Sequence, residues 1–272
     1  MDLPDPLHYC EITRSGPITV IRLNRPEVMN ALHEAAHHEL HAVFDAFAAD
    51  DSQWVAILTG AGERAFCAGY DLKSLAGGGK EGWAATGFGG LARRFDCAKP
   101  IVAAVNGIAL GGGFEMVLAC DIAVASERAS FALPEPKFGL AAVSGGLHRL
   151  PRQIGLKQAM GMILTGRRVS AQEGLRLGFL NEVVPAGEEM AAAMRWALEI
   201  CQCSPASIRA SKEAVLAGLD RTLARAIGEQ EDFPAMKAMY ASEDFIEGPR
   251  AFAEKRPPRW SGASAPKPAP GA

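Results

Sequence analysis

Asn106-Gly107-Ile108-Ala109-Leu110-Gly111-Gly112-Gly113-Phe114-Glu115 carries the most information in this chain. An apolar run meets three glycines, and residues 112–120 then have the length and composition of a short helix. The first N–H groups of a helix lack intrahelical acceptors and sit at the positive end of its dipole. The stretch ends on a carboxylate, Glu115. Twenty residues on, Phe131-Ala132-Leu133-Pro134-Glu135-Pro136 places a second glutamate between two prolines, after a short apolar strand. A carboxylate at the edge of an apolar segment loses solvation, and its pKa rises toward neutral. Two such groups meeting in one pocket can divide acid and base duties near pH 7. A single Glu is ordinarily a solvated surface residue, and the glycine and proline settings argue against that here.

Reading outward, 101–105 and 122–125 are expected as buried strands, as is 54–58, which runs into Thr59-Gly60-Ala61-Gly62. Residues 33–49 carry Leu40, Val43, Phe44 and Phe47 at helical spacing. Ahead of them, 9–14 and 18–23 alternate around Ser15-Gly16-Pro17 and predict a hairpin. Strands alternating with helices indicate an α/β domain. From about residue 186 the strand signals stop and helices dominate to about 253. The expected division is a core over 1–185, a helical region over 186–256 and a disordered tail over 257–272, rich in Pro, Ala, Gly and Ser from 262.

The 272 residues suffice for one large domain. A hydrophobic share of 49%, a charged share of 22% and a formal charge of −3 are ordinary for a globular protein and give no footprint for nucleic acid. The six cysteines lack metal or framework spacing and are expected to be reduced, which suits a cytoplasmic enzyme. The first residues have neither the basic nor the apolar region of a secretory signal, and no apolar run reaches membrane-spanning length. Gly77-Gly78-Gly79-Lys80-Glu81-Gly82 satisfies G-x-G-x-x-G, yet no strand enters it, so the match is accidental. Its glycine-rich surroundings, 76–90, are expected to form a mobile loop beside the site, a lid or an acyl-pocket wall.

Four segments belong together. They are Asn24-Arg25-Pro26-Glu27-Val28-Met29-Asn30-Ala31-Leu32, then Ala65-Phe66-Cys67-Ala68-Gly69-Tyr70-Asp71-Leu72, then the triple glycine, then the Glu135 stretch. Small residues at 68 and 69 allow a turn with its N–H groups aimed outward. Facing the triple glycine, that turn would make an oxyanion hole for a developing enolate. Taken singly, a glycine triplet can simply mark close packing, and Phe-Cys-Ala-Gly an ordinary turn.

Taken jointly and in this order, the segments resemble the crotonase, or enoyl-CoA hydratase/isomerase, superfamily over about residues 9–260. Arg149-Leu150-Pro151-Arg152-Gln153-Ile154-Gly155, Leu164-Thr165-Gly166-Arg167-Arg168-Val169-Ser170-Ala171 and Ala251-Phe252-Ala253-Glu254-Lys255-Arg256 extend the likeness. The resemblance implies the crotonase (ClpP-like) spiral of ββα units, with a C-terminal helical region that forms trimers or hexamers. It implies that the N–H groups of Tyr70 and Gly112 hold a thioester oxygen. Val28, Met29, Ala68, Asp71 and Leu72 would line the coenzyme A groove. Phe252 and Lys255 would reach the coenzyme A of a neighbouring subunit. Glu115 and Glu135 match the two hydratase glutamates, and keeping both favours addition of water over double-bond migration. The expected reaction is hydration of a trans-2-enoyl-CoA to a 3-hydroxyacyl-CoA, with no metal and no redox cofactor. The alternatives are an isomerase, a dehydratase of an unusual hydroxyacyl-CoA, or a catalytically idle scaffold that binds coenzyme A. A protease-like role lacks a Ser-His-Asp arrangement at the oxyanion segments.

One departure stands out. Where hydratases usually carry Pro-Gly-Ala-Gly-Gly-Thr-Gln-Arg-Leu, this chain has Ala142-Val143-Ser144-Gly145-Gly146-Leu147-His148-Arg149-Leu150. Val143 stands at a glycine expected to help hold the catalytic water, and its β-branch narrows the backbone angles available there. His148 is read as structural.

Overall fold

The computed structural model describes residues 6–72 and 83–262. The expected hairpin is present as β1 (Cys10–Ser15) and β2 (Ile18–Leu23), paired antiparallel. Helix α1 (Glu34–Ala49) follows, capped where the His33 ring accepts from the Ala36 N–H. Its inward stripe is Ala36, His37, Leu40, Val43, Phe44 and Phe47, the three-and-four spacing of a helix with one buried face.

Successive strands then alternate between two sheets. The first has the order β1-β2-β3-β5-β7-β10, with β3 (Val55–Gly60), β5 (Ile101–Val105), β7 (Ile122–Ser126) and β10 (Glu182–Val184) parallel to β2. The second has the order β4-β6-β8-β9, from β4 (Ala65–Cys67), β6 (Ile108–Leu110), β8 (Ser130–Ala132) and β9 (Val169–Ser170). Each of β3-β4, β5-β6 and β7-β8 gives its first strand to one sheet and its second to the other. That repeated step is the spiral expected of the crotonase fold.

The core lies between the sheets and α1. Phe44, Phe66, Phe88, Phe114 and Phe131 are all fully buried. The short helix after β6 is α2 (Gly112–Ala119), and α3 (Gly146–Gln153), α4 (Leu156–Thr165) and α5 (Ala171–Leu177) follow the Glu135 segment. Then come α6 (Glu189–Cys201), α7 (Pro205–Gly218), α8 (Leu223–Glu229), α9 (Pro234–Tyr240) and α10 (Asp244–Ala253). Helix α6 lays Ala193 and Ala197 on Val55, Ile57, Val102 and Ala104, so it covers the first sheet as part of the core.

Residues 257–262 depart from the tail that composition suggested. The Trp260 indole donates to the Gln202 carbonyl at 2.8 Å and the Ser261 N–H to Asp244 at 2.8 Å. One aromatic anchor is enough to tie down a Pro-rich segment that composition alone reads as loose. The rest of the expected tail, 263–272, lies outside the described residues, as do 73–82 of the glycine-rich run. The described part of that run, 83–90, is packed: Phe88 is buried, and a Cβ on Gly90 would meet the α1 backbone at His41. It is a wall. All six cysteines are free, and no helix among the described residues is long and apolar enough to cross a membrane.

Candidate active site

The triple glycine opens α2, and each of its members has a separate reason. Gly111 has φ 53 and ψ −127, a conformation open in practice to glycine alone. A Cβ on Gly112 would lie 2.5 Å from the Phe88 ring. One on Gly113 would overlap the Cys67 carbonyl. The turn at 68–71 approaches from the other side. Gly69, at φ 94, leaves only 3.3 Å between its own Cβ position and the Gly112 nitrogen. The two N–H-bearing segments that the sequence paired, Tyr70 and Gly112, are therefore adjacent.

The 24–32 strap holds this turn in place. Leu32 donates to the Gly69 carbonyl at 2.9 Å, Asp71 donates to the Leu32 carbonyl at 2.9 Å, and Ala68 donates to the Met29 carbonyl at 3.0 Å. Met29 and Asn30 both have positive φ, 59 and 55, which strains L-residues. Asn30 offsets that strain by donating to the Ala61 and Ala65 carbonyls and accepting from the Arg25 N–H. Arg25 also pairs with Asp71 at 3.4 Å. Val28, Met29, Ala68, Asp71 and Leu72 thus fall on two segments joined by hydrogen bonds beside the Tyr70–Gly112 junction, with Leu72 exposed.

Glu115 sits one turn into α2 and is 2% exposed. Its Oε1 accepts the Gly146 N–H at 2.8 Å, and the Ser144 backbone also bonds to it. Burial pushes its pKa up to about 7; those backbone donors oppose the shift, nearby Glu135 adds to it, and Arg149 weakly opposes it. Glu135 begins a short turn of 3-10 helix after β8, where Pro134 and Pro136 fix the backbone. Its Oε1 lies 2.9 Å from the Cβ position of Gly111, and its buried Oε2 has no hydrogen-bond partner. Burial raises this carboxyl as well, against the bond from its own N–H. Two desolvated carboxyls therefore lie beside glycine-rich helix starts, Glu115 anchored by backbone donors at the start of α3 and Glu135 unanchored against Gly111 at the start of α2.

Phe252 is 87% exposed at the end of α10, and Lys255 follows in the left-handed region at φ 54. Both are remote from the glutamates along the chain, and on a single subunit they are simply presented to the outside. Val143 points outward, 59% exposed, and its N–H donates to the Ala141 carbonyl at 2.8 Å. The donors to Glu115 come instead from Ser144 and Gly146. His148 is exposed on α3. Sequence reasoning missed Gly146, Phe88 and Arg149 as parts of this site. The Gly145-Gly146 pair ahead of a helix carried the same signal as 111–113. Arg149 is held away by the Ala92 carbonyl at 2.7 Å, which no spacing could reveal.

The family model for Enoyl-CoA hydratase/isomerase matches residues 13–263. A curated relative from Proteus mirabilis named carnitinyl-CoA dehydratase is 43% identical over 261 residues, covering 92% of this chain and 97% of its own. Among solved structures, an enoyl-CoA hydratase from Mycobacterium tuberculosis superposes with TM-score 0.88 at 36% identity, covering 94% of this chain and 99% of its own. A carnitinyl-CoA hydratase from Mycobacterium avium gives TM-score 0.74 at 38% identity, covering 94% and 99%. Hydratase and dehydratase name two directions of one hydro-lyase reaction. This chain belongs to the enoyl-CoA hydratase/isomerase family, within the crotonase superfamily that its glycines and glutamates resembled, and is an enzyme of the hydratase and dehydratase kind.

Proposed function

We propose that the chain adds water across the 2,3 double bond of a trans-2-enoyl-CoA, and runs the same step backward as a dehydratase. The observation that carries this reading is the pair of desolvated carboxyls, buried Glu115 and half-buried Glu135, beside the Gly111–Gly113 run. The two N–H groups take the thioester oxygen, which draws electron density from C3. Glu115, whose backbone donors favour its anion, takes a proton from water as the water oxygen bonds to C3. The alkene electrons pass to C2 and the thioester oxygen. Glu135, with no donor bonded to Oε2, holds the proton that C2 receives. Glu115 ends protonated and Glu135 ionised, and proton exchange with solvent restores both. The net change is addition of water across C3 and C2, and no oxidant, metal or redox cofactor is needed, because the thioester itself activates the alkene.

The coenzyme A portion lies along Val28, Met29, Ala68, Asp71 and Leu72. Phe252 and Lys255 complete that groove from a neighbouring subunit of a trimer or hexamer. The Proteus relative's name favours a second reading, dehydration of a hydroxyacyl-CoA with a polar acyl group such as carnitinyl-CoA. A turnover screen over short, medium, branched and aromatic enoyl-CoA thioesters, with carnitinyl-CoA added, tests both. Consumption or appearance of the conjugated thioester is expected for at least one member. Double-bond migration without water, or turnover of none, overturns the reading.

A further inference from the structure

His37 lies on the buried stripe of α1, and neither its burial nor its bonding is accounted for by packing alone. It is fully buried, and its Nδ1 accepts the Gly89 N–H at 3.0 Å. A neutral ring that accepts at Nδ1 carries its proton on Nε2. Burial lowers the ring's pKa to about 4, with lesser contributions from His33 and His38, so the neutral form holds at physiological pH. The Nε2–H on the far side of the ring has no hydrogen-bond partner. A buried donor left unpaired is costly, so its persistence calls for an explanation.

The surroundings supply one. The His37 ring stacks on Tyr70 at 6.2 Å and 13°, lies 4.5 Å from Phe88, and has Trp83 at 6.5 Å. Tyr70 and Gly112 carry the two N–H groups of the hole, and Phe88 is the ring against Gly112. His37 thus packs against Tyr70 and Phe88, the residues beside and against Gly112.

We infer that His37 is a specificity-determining residue: its Nε2–H, set in a wall of Tyr70, Trp83 and Phe88, selects acyl groups that carry an oxygen acceptor beyond C3. The inference rests on the acyl-CoA reading above and names the class of acyl group that the site prefers. An aliphatic tail would leave the donor unpaired, whereas a carbonyl or hydroxyl oxygen would satisfy it. One such bond is worth about tenfold in affinity.

Calorimetric binding of three unreactive thioesters, hexanoyl-CoA, 4-oxohexanoyl-CoA and 5-oxohexanoyl-CoA, reads this without turnover. The native enzyme is expected to bind at least one oxo compound about tenfold tighter than hexanoyl-CoA. His37→Phe should abolish that preference and leave hexanoyl-CoA affinity unchanged, and His37→Gln, which keeps an N–H near the Nε2 position, should restore part of it. Should His37→Phe fail to fold, the Nε2–H resonance of His37 in the native enzyme must shift with the oxo compound and not with hexanoyl-CoA. Equal affinity for all three thioesters, or an equal loss for all three in His37→Phe, would overturn the inference. Selective binding with no hydration of any enoyl-CoA would sink the proposed reaction and leave the role of His37 standing. Hydration without selectivity would do the reverse.

Discussion

The Gly146 N–H donates to Glu115 Oε1 at 2.8 Å, so the first turn of one helix holds a carboxylate borne by the first turn of another. Both helices begin at glycines, where first-turn N–H groups lack intrahelical acceptors and the dipole is positive. Helix α3 turns this end toward the glutamate, and in the proposed reaction α2 would turn its own toward the substrate oxygen. A Cβ on Gly146 would lie 3.1 Å from Glu115 Cγ and Oε1 and 3.1 Å from Leu133 Cδ1, which explains the glycine. Glu135 lacks such an anchor. In the proposed reaction this asymmetry would divide the labour between two otherwise similar acids, the anchored one working as an anion and the unanchored one carrying the proton.

Glu115→Gln and Glu135→Gln should each lower kcat by at least ~10²-fold, the usual scale for losing a general acid or base. Gln keeps an acceptor for Gly146, so the fold and the affinity for a saturated acyl-CoA should be retained. Near-native turnover in either variant, on the best substrate, would show that its carboxyl takes no part in the chemistry.

The three glycines should fail in three ways. Gly112→Pro removes the proposed donor outright and should lower kcat by ~10²–10³-fold. Gly112→Ala retains the N–H but drives a methyl into the Phe88 ring, and Phe88→Leu in the same chain should recover part of its activity. Gly113→Ala meets backbone, the Cys67 carbonyl, and no side-chain change can relieve that. Its soluble yield should therefore fall most. A Gly112→Ala enzyme as active as the native one would mean that the ring is not part of the wall.

Much of this was legible in the sequence, for identifiable reasons. The first-sheet strands β2, β3, β5 and β7 are apolar runs closed by turn signals, and the helix start at Gly112 is marked by its glycines. Strands β4, β6, β9 and β10 are two or three residues long, too short for any period to register. The pairing of Tyr70 with Gly112 was readable from segment order through the family resemblance. The Gly146 bond to Glu115 was hidden, because attention fell on Val143, whose side chain points to solvent. His37 was hidden too, since a histidine on a helical stripe looks like core until its unpaired nitrogen is seen.

The buried carboxyl at 115 should make stability fall with pH. Below about 4.5, the ordinary value for a glutamate, the group is protonated in both the folded and the unfolded chain and carries no penalty. As pH rises to about 7, the unfolded chain ionises freely while the folded one resists. Stability is therefore lost across that window, up to about 3 kcal/mol, and the loss levels off above it. Glu115→Gln should melt close to the native enzyme at pH 4.5 and about 5–10 °C higher at pH 8. A difference independent of pH would contradict the desolvated setting.

The C-terminal end separates two roles that lie close together in sequence. Lys255 is held in the left-handed region after α10, where its N–H donates to the Phe252 carbonyl at 3.2 Å, and both side chains face outward. If Lys255 reaches the coenzyme A phosphates of a neighbour, Lys255→Ala should raise KM and leave kcat nearly unchanged, since remote binding is lost about equally in ground and transition states. Light scattering is expected to find a trimer or hexamer, and deleting 263–272 should alter neither that state nor the melting temperature. Ending the chain at 256 should differ, because the Trp260 bond to Gln202 and the Ser261 bond to Asp244 go with it. That truncation should melt several degrees lower, as expected when buried side-chain contacts and hydrogen bonds are lost together. A fully active monomer would refute both the assembly and the shared groove.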